Sequence, residues 1–180
     1  DGVERPTSAM FGHRGLMVLL STVWMCVAAF LMLRELIGVA TVRAWVTSPV
    51  DCDPEMVVRL QTGVNELAQA LGITRRIALI VSDRISVPAV IGVLTPAILI
   101  PVSMLSGVSV EQWRIIIAHE LAHIRRWDAA VDLAQRIVES LLFFNPAVRW
   151  LGRQMRIERE ACCDAIAARH CGQPVEVART

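Results

Sequence analysis

The stretch "IIIAHELAHIRRWD" (residues 115–128) decides how the rest of the chain is read. On an α-helix, residues four apart share a face, so His119 and His123 can each bring a ring nitrogen to one metal ion. Glu120 is turned about 100° from His119. It therefore stands beside such an ion, placed to take a proton from a water and not to coordinate. Two ligands and a general base within one turn are the mechanical content of the HExxH pattern. The alternative is a solvated helix face with accidental spacing. The neighbouring residues argue against it, because the segment is apolar before and between the motif residues. Histidines paired beside a carboxylate in such a helix need a cation or hydrogen bonds.

A zinc site of this kind takes a third protein ligand, carboxylate or histidine, from a neighbouring element. The candidates are Asp128, Asp132, Glu139, Glu158, Glu160, Asp164 and His170. Asp128, five residues past His123, would point off the metal-facing side. The segment "RIEREACCDAIA" (156–167) is more telling. Glu160 and Asp164 are four apart on one face of a last helix, which "NP" at 145–146 lets fold back antiparallel. A ligating Glu160 with Asp164 one turn on would let the aspartate accept the Nδ1–H of a ligating histidine and fix its tautomer. The competing reading is a salt-bridged exposed face at Glu158, Arg159 and Glu160. Spacing alone leaves the two balanced.

Upstream, residues 16–33 are 18 uncharged, mostly apolar positions between Arg14 and Arg34. At 1.5 Å per residue they nearly cross the ~30 Å hydrocarbon layer, and snorkelling arginines extend the reach. Arginines flank both ends, so charge sets no orientation. A second charge-free run at 85–110 is broken by Pro88, Gly92, Pro96 and Pro101 and is β-branched between them. That pattern predicts short strands at 77–82, 89–93 and 97–100. Helices are expected at 53–72, with Asp53 as cap and Gly72 as stop, and from the capping box "SVEQ" (109–112) through the histidines. Two more are expected at about 129–144 and 147–170.

The hydrophobic fraction is 54%, and the mean hydropathy of +0.51 is high for a soluble enzyme. A net charge of +1 argues against a nucleic-acid binder. All 18 basic residues are arginine and there is no tyrosine, so no mechanism can use lysine or tyrosine from this segment. The five cysteines form no CxxC pair, which fits a reducing compartment better than a disulfide framework. The chain reads as a segment of something longer. Residues 1–14 are expected as a flanking loop, 15–45 as a membrane helix with its extension, and 46–180 as the zinc domain. The fold class is α+β, mainly α.

"HELAHIRRWD" followed by "FFNPAVRWLGRQMRIEREACCD" (143–164), with "VPAVIGVLTPAILIP" (87–101) upstream, resembles the BlaR/MecR-type membrane metallopeptidases. The resemblance covers about 55–170 and the preceding membrane helix. It implies a gluzincin-like domain binding one Zn2+ on the cytoplasmic side of the bacterial inner membrane, between transmembrane helices. By the family's pattern His119, His123 and Glu160 are the ligands, Glu120 is the general base, and Asp164 is the partner of a ligating histidine. The implied function is signal transduction by cleavage of a repressor-like cytoplasmic regulator or of the chain itself. Partners are then a protein substrate and membrane lipid, not nucleic acid, and a homo-oligomer is compatible. "ACCD" departs from the pattern: Cys163 beside Asp164 is either a stray ligand or a small packing residue.

With no tyrosine to assist the oxyanion, His170, Arg156 and Arg159 are the candidate donors. A strand at 89–93 or 97–100 could offer an edge on which an extended substrate pairs. Three other readings compete. An intramembrane protease needs an aspartate ligand after "NP", and "NPAV" has none. A relay module without catalysis has no use for Glu120. A soluble zinc-free helical domain fails if residues 16–33 enter a membrane.

Overall fold

The computed structural model describes residues 7–46 and 52–171. Helix α1 (Thr7–Val46) is followed by α2 (Pro54–Ala70) and by strands β1 (Ala78–Ser82), β2 (Ala89–Ile91) and β3 (Ala97–Pro101). The short α3 (Met104–Gly107), then α4 (Val110–Arg125), α5 (Asp128–Leu141) and α6 (Pro146–Cys171), complete the order. The fold is α+β and mainly α, as expected. Helix α1 begins inside the segment expected as a flanking loop, since no proline or glycine pair interrupts the chain after Pro6. Residues 1–6 of that segment lie outside the described residues. Within α1, His13–Thr41 is long and apolar enough to cross a membrane, by length and composition. Its Leu, Val and Met side chains are largely exposed.

Helix α2 starts where the Asp53 carboxylate accepts the Glu55 N–H at 3.1 Å, with Pro54 at its first position. It lays Val64, Ala68 and Leu71 against α4 and the sheet, in one core with Ile98, Ile100, Ile117, Leu121 and Ile124. Gly63 lets the Trp113 ring approach: a Cβ there would stand 3.2 Å from the indole.

The sheet order is β1-β3-β2, with β3 parallel to β1 and antiparallel to β2. β3 is therefore the central strand, and all five of its residues are buried. That excludes 97–100 as a substrate-binding edge. The outer edge of β1 is partly closed by Gln61 of α2, whose amide donates to Ile77 O at 3.0 Å and accepts the Leu79 N–H at 2.9 Å. β2 is left as the edge strand. It stops at Ile91, two residues short of expectation, because Gly92 turns the chain with φ +85° against the Thr95 carbonyl.

Helix α4 opens with the capping box in full. Ser109 Oγ accepts the Gln112 N–H at 3.2 Å, and Gln112 Oε1 accepts the Ser109 N–H at 3.0 Å. Between the end of α4 and the start of α5 stands Trp127, the only non-glycine residue with positive φ (61°) among the described residues. Arg75 secures this corner from across the sheet. Its guanidinium stacks 3.7 Å from the Trp127 ring centroid and donates to the carbonyls of Val93 and Ile124. The left-handed residue reverses the chain at once into α5. α6 returns antiparallel to α5, since Gln135 meets Gly152 and Asp128 meets Arg159.

Candidate metal centre

Three helices converge on the histidines. α4 supplies His119, Glu120 and His123, α5 supplies Asp128 at its first position, and α6 supplies Glu160, Cys163 and Asp164. The Nε2 atoms of His119 and His123 stand 3.1 Å apart. Glu160 Oε2 lies 3.5 Å from the first and 3.6 Å from the second. Ligand atoms about 2.0–2.1 Å from a tetrahedral ion stand roughly 3.3–3.4 Å apart, so the triangle has the size of one face of a zinc coordination shell.

The hydrogen bonds behind the rings decide what this triangle can hold. His119 Nδ1 is 2.9 Å from Asp164 Oδ1, and His123 Nδ1 is 2.8 Å from Asp128 Oδ2. Ionised carboxylates only accept, so both Nδ1 atoms carry a proton, and as neutral imidazoles both rings present Nε2 lone pairs. Two lone pairs and a carboxylate oxygen then face one another with no donor among them. Such a trio calls for a cation, and the donor set of two imidazoles and one carboxylate suits zinc. The histidines are half-buried, whereas the Glu160 side chain is 58% exposed, so the site opens to solvent on the α6 side.

Glu120 is buried, and burial pushes its carboxyl above the ordinary carboxylate range. His119 opposes the shift and the like charge of Glu160 adds to it. A carboxylate made more basic beside a metal-sized gap has the character of a general base.

Of the residues singled out from sequence, His119, His123 and Glu160 meet, with Asp164 on one histidine and Glu120 alongside. The three suggested oxyanion donors do not reach the trio. Arg159 is buried and faces Gln135 (3.3 Å), Asp132 (3.5 Å) and Asp128 (4.0 Å), while Arg156 faces Glu139 at 3.6 Å. The acids of α5 draw both guanidinium groups away. His170, on the last turn of α6, holds the Ile166 carbonyl at 3.0 Å.

Asp128 is the residue that spacing mislaid. Extrapolating α4 straight on turns it away, but the left-handed Trp127 brings it back onto His123. Cys163 is buried on the same side, 3.3 Å from His123 Nδ1 and 3.5 Å from Asp128 Oδ2. It cannot join the trio, because the two ring nitrogens of His123 point in opposite directions. His123, Asp128 and Cys163 form a second group of metal-binding types. Burial first, then the Asp128 charge and hydrogen bond, push the Cys163 thiol up to about 12. The three side chains are joined by hydrogen bonds, Cys163 Sγ to Asp128 and Asp128 to His123 Nδ1.

The sequence profile of the BlaR1 peptidase M56 family matches residues 4–172. The chain is also similar to the regulatory protein BlaR1 of Bacillus licheniformis, 30% identical over 83 residues, which are 46% of this chain and 14% of that relative.

Proposed function

The chain belongs to the BlaR1 peptidase M56 family, and from that premise we propose that it is a membrane-anchored zinc endopeptidase of signal transduction. Its substrate is a repressor-like cytoplasmic regulator or the chain itself. The observation that carries the reading is the triangle of three acceptors, two of them locked as lone pairs by Asp128 and Asp164.

His119, His123 and Glu160 hold the ion, which when bound supplies the electrophile that polarises a water and the scissile carbonyl. Glu120 accepts a proton from the attacking water and returns it to the leaving amine. Its burial keeps it basic enough for the first transfer. An extended substrate pairs with β2, the free strand edge. Helix α1 anchors the domain in the bacterial inner membrane, as one of several spans in the whole protein, with the zinc domain facing the cytoplasm.

Zinc content and proteolysis of the detergent-purified chain test this reading. Wild type should hold one zinc per chain, E160A should lose it, and E120Q should keep it while losing cleavage. Full zinc occupancy in E160A would remove Glu160 from the ligand set.

One observation also favours a relay role beside catalysis. Glu35 of α1 pairs with Arg136 at 2.7 Å, Arg136 with Asp132 at 2.6 Å, Asp132 with Arg159 at 3.5 Å, and Arg159 reaches Asp128 at 4.0 Å. The chain of charges runs from the apolar helix to the carboxylate on His123. R136A should lower cleavage without changing the ligand residues, and unchanged kcat and zinc affinity would leave the chain a structural feature only.

A further inference from the structure

Helices α5 and α6 meet at a corner, residues 141–151, where Phe143 and Val148 are half-buried and the other large apolar side chains stand exposed. Phe144, Trp150 and Leu151 are 63%, 60% and 54% exposed, comparable with the lipid-facing positions of α1. Three or more large apolar side chains gathered on one corner mark a surface that is covered in use.

The contacts of α1 show where this corner lies. Trp24 donates its indole N–H to the Leu141 carbonyl at 3.0 Å. A hydrocarbon layer takes about 20 helical residues, and every window of that length within 13–41 contains residues 22–32. Trp24 is therefore inside the layer wherever α1 sits in it, and Leu141 is at the same depth. The second tie, Glu35 to Arg136, runs onward along α1 and backward along α5. So α5 descends beside α1 from the metal centre, and the corner is its deepest part.

Several of the orphan backbone groups at this corner are satisfied within the protein. In lipid every N–H and C=O must find a partner within the protein. The Leu141 carbonyl, an orphan at a helix end, takes the Trp24 indole. The Leu142 carbonyl takes the Asn145 N–H at 2.8 Å, and the Asn145 side chain accepts the Ala147 N–H at 3.0 Å. No charged residue lies between Glu139 and Arg149. Glu139 is held by Gln135 at 2.8 Å, and Arg149, inside the corner and exposed, sets the depth of insertion to one from which its stem reaches the headgroups.

We propose that the α5–α6 corner inserts into the phospholipid bilayer beside α1, as a second membrane contact that does not span. This rests on α1 being a membrane helix, and the experiment separates the two claims. The full chain is reconstituted in vesicles of phosphatidylethanolamine and phosphatidylglycerol, exposed to a carbene-generating diazirine dissolved in the hydrocarbon phase, and mapped by mass spectrometry. Insertion gives label on Phe144, Trp150 and Leu151 at the level seen on Leu20 and Val23 of α1. It leaves Leu94, which is 80% exposed in the β2–β3 turn, unlabelled. Label on α1 with none at the corner overturns the insertion alone. Disulfide trapping between F144C chains would then give the face to a second copy. Label on neither removes the membrane reading of α1 as well. Label on Leu94 equal to that at the corner would mean that the reagent follows exposed apolar surface in water, and the lipid assignment would fall.

Discussion

Exchanging Asp128 and Asp164 separately for asparagine tests whether the carboxylates behind the histidines set the affinity of the metal centre. Each accepts an Nδ1–H, at 2.8 Å from His123 and 2.9 Å from His119. Losing such a carboxylate typically weakens metal binding about 10–100-fold, which is roughly 1.4–2.7 kcal/mol. The two differ in their surroundings: the Asp128 side chain is 6% exposed and that of Asp164 46%. Water screens Asp164 and hardly touches Asp128, so the charge of Asp128 acts on its imidazole at the lower effective dielectric. D128N should therefore approach the hundredfold end and D164N stay near tenfold. Folding should suffer less, by about 1–2 kcal/mol, because Arg159 keeps Asp132 and Gln135 when Asp128 loses its charge. The assay is zinc competition against a chromophoric chelator at fixed pH, with urea melts run alongside. Equal weakening in the two variants, or a larger loss in D164N, would refute the reasoning.

Cys163, with its thiol near 12, should resist iodoacetamide at pH values where a free thiol of pKa about 8.5 reacts, while Cys162 is alkylated; equal rates by mass spectrometry would contradict the buried cluster. Since the folded state holds the Cys163 proton more tightly than the unfolded chain, its contribution to stability declines as pH rises above the unfolded thiol value toward 12. Glu120 has the same sign at lower pH. Between the ordinary carboxylate value and its raised one the native state binds the extra proton, so metal-free protein loses stability as pH rises through that window. Chelator-treated E120Q should thus melt above wild type at neutral pH, with the gap closing below about pH 4; a gap that persists in acid would rule out ionisation as its cause. G152A should cost less than about 1 kcal/mol in urea unfolding, because the methyl displaces only the mobile ends of Glu139 and Gln135, at the expense of their mutual hydrogen bond and the one from Gln135 to the Gly152 carbonyl, and gains helix propensity. A loss above about 2 kcal/mol would mean that the Gln135 and Glu139 side chains are locked in place at this crossing.

Much of the fold is legible because its signals are local. The capping box at Ser109–Gln112 needs four residues, the prolines of 85–110 forbid a helix, and Glu160 and Asp164 share a helix face by their spacing alone. The unreadable parts depend on contacts between distant residues. Nothing in 78–101 says that β1 pairs with β3 and leaves β2 outermost, so 97–100 reads as an edge as readily as 89–93. Asp128 is hidden because one left-handed residue, Trp127, breaks the periodicity that any extrapolation from His123 assumes. The residue that secures the turn, Arg75, lies 52 positions earlier. Arg156 and Arg159 look available in sequence because their acidic partners sit on another helix.

The 14 residues of α5 join two very different environments. At one end Leu141 is tied to the apolar helix, and at the other Asp128 holds a histidine. A straight helix of this length is a lever about 21 Å long. Tilting it by about 5° on its Trp24 fulcrum displaces the far tip by roughly 1.8 Å, enough to turn a hydrogen bond into a gap. The candidate metal centre is therefore geared to the angle between two helices, and a change in how α1 leans need only be slight to be felt at His123.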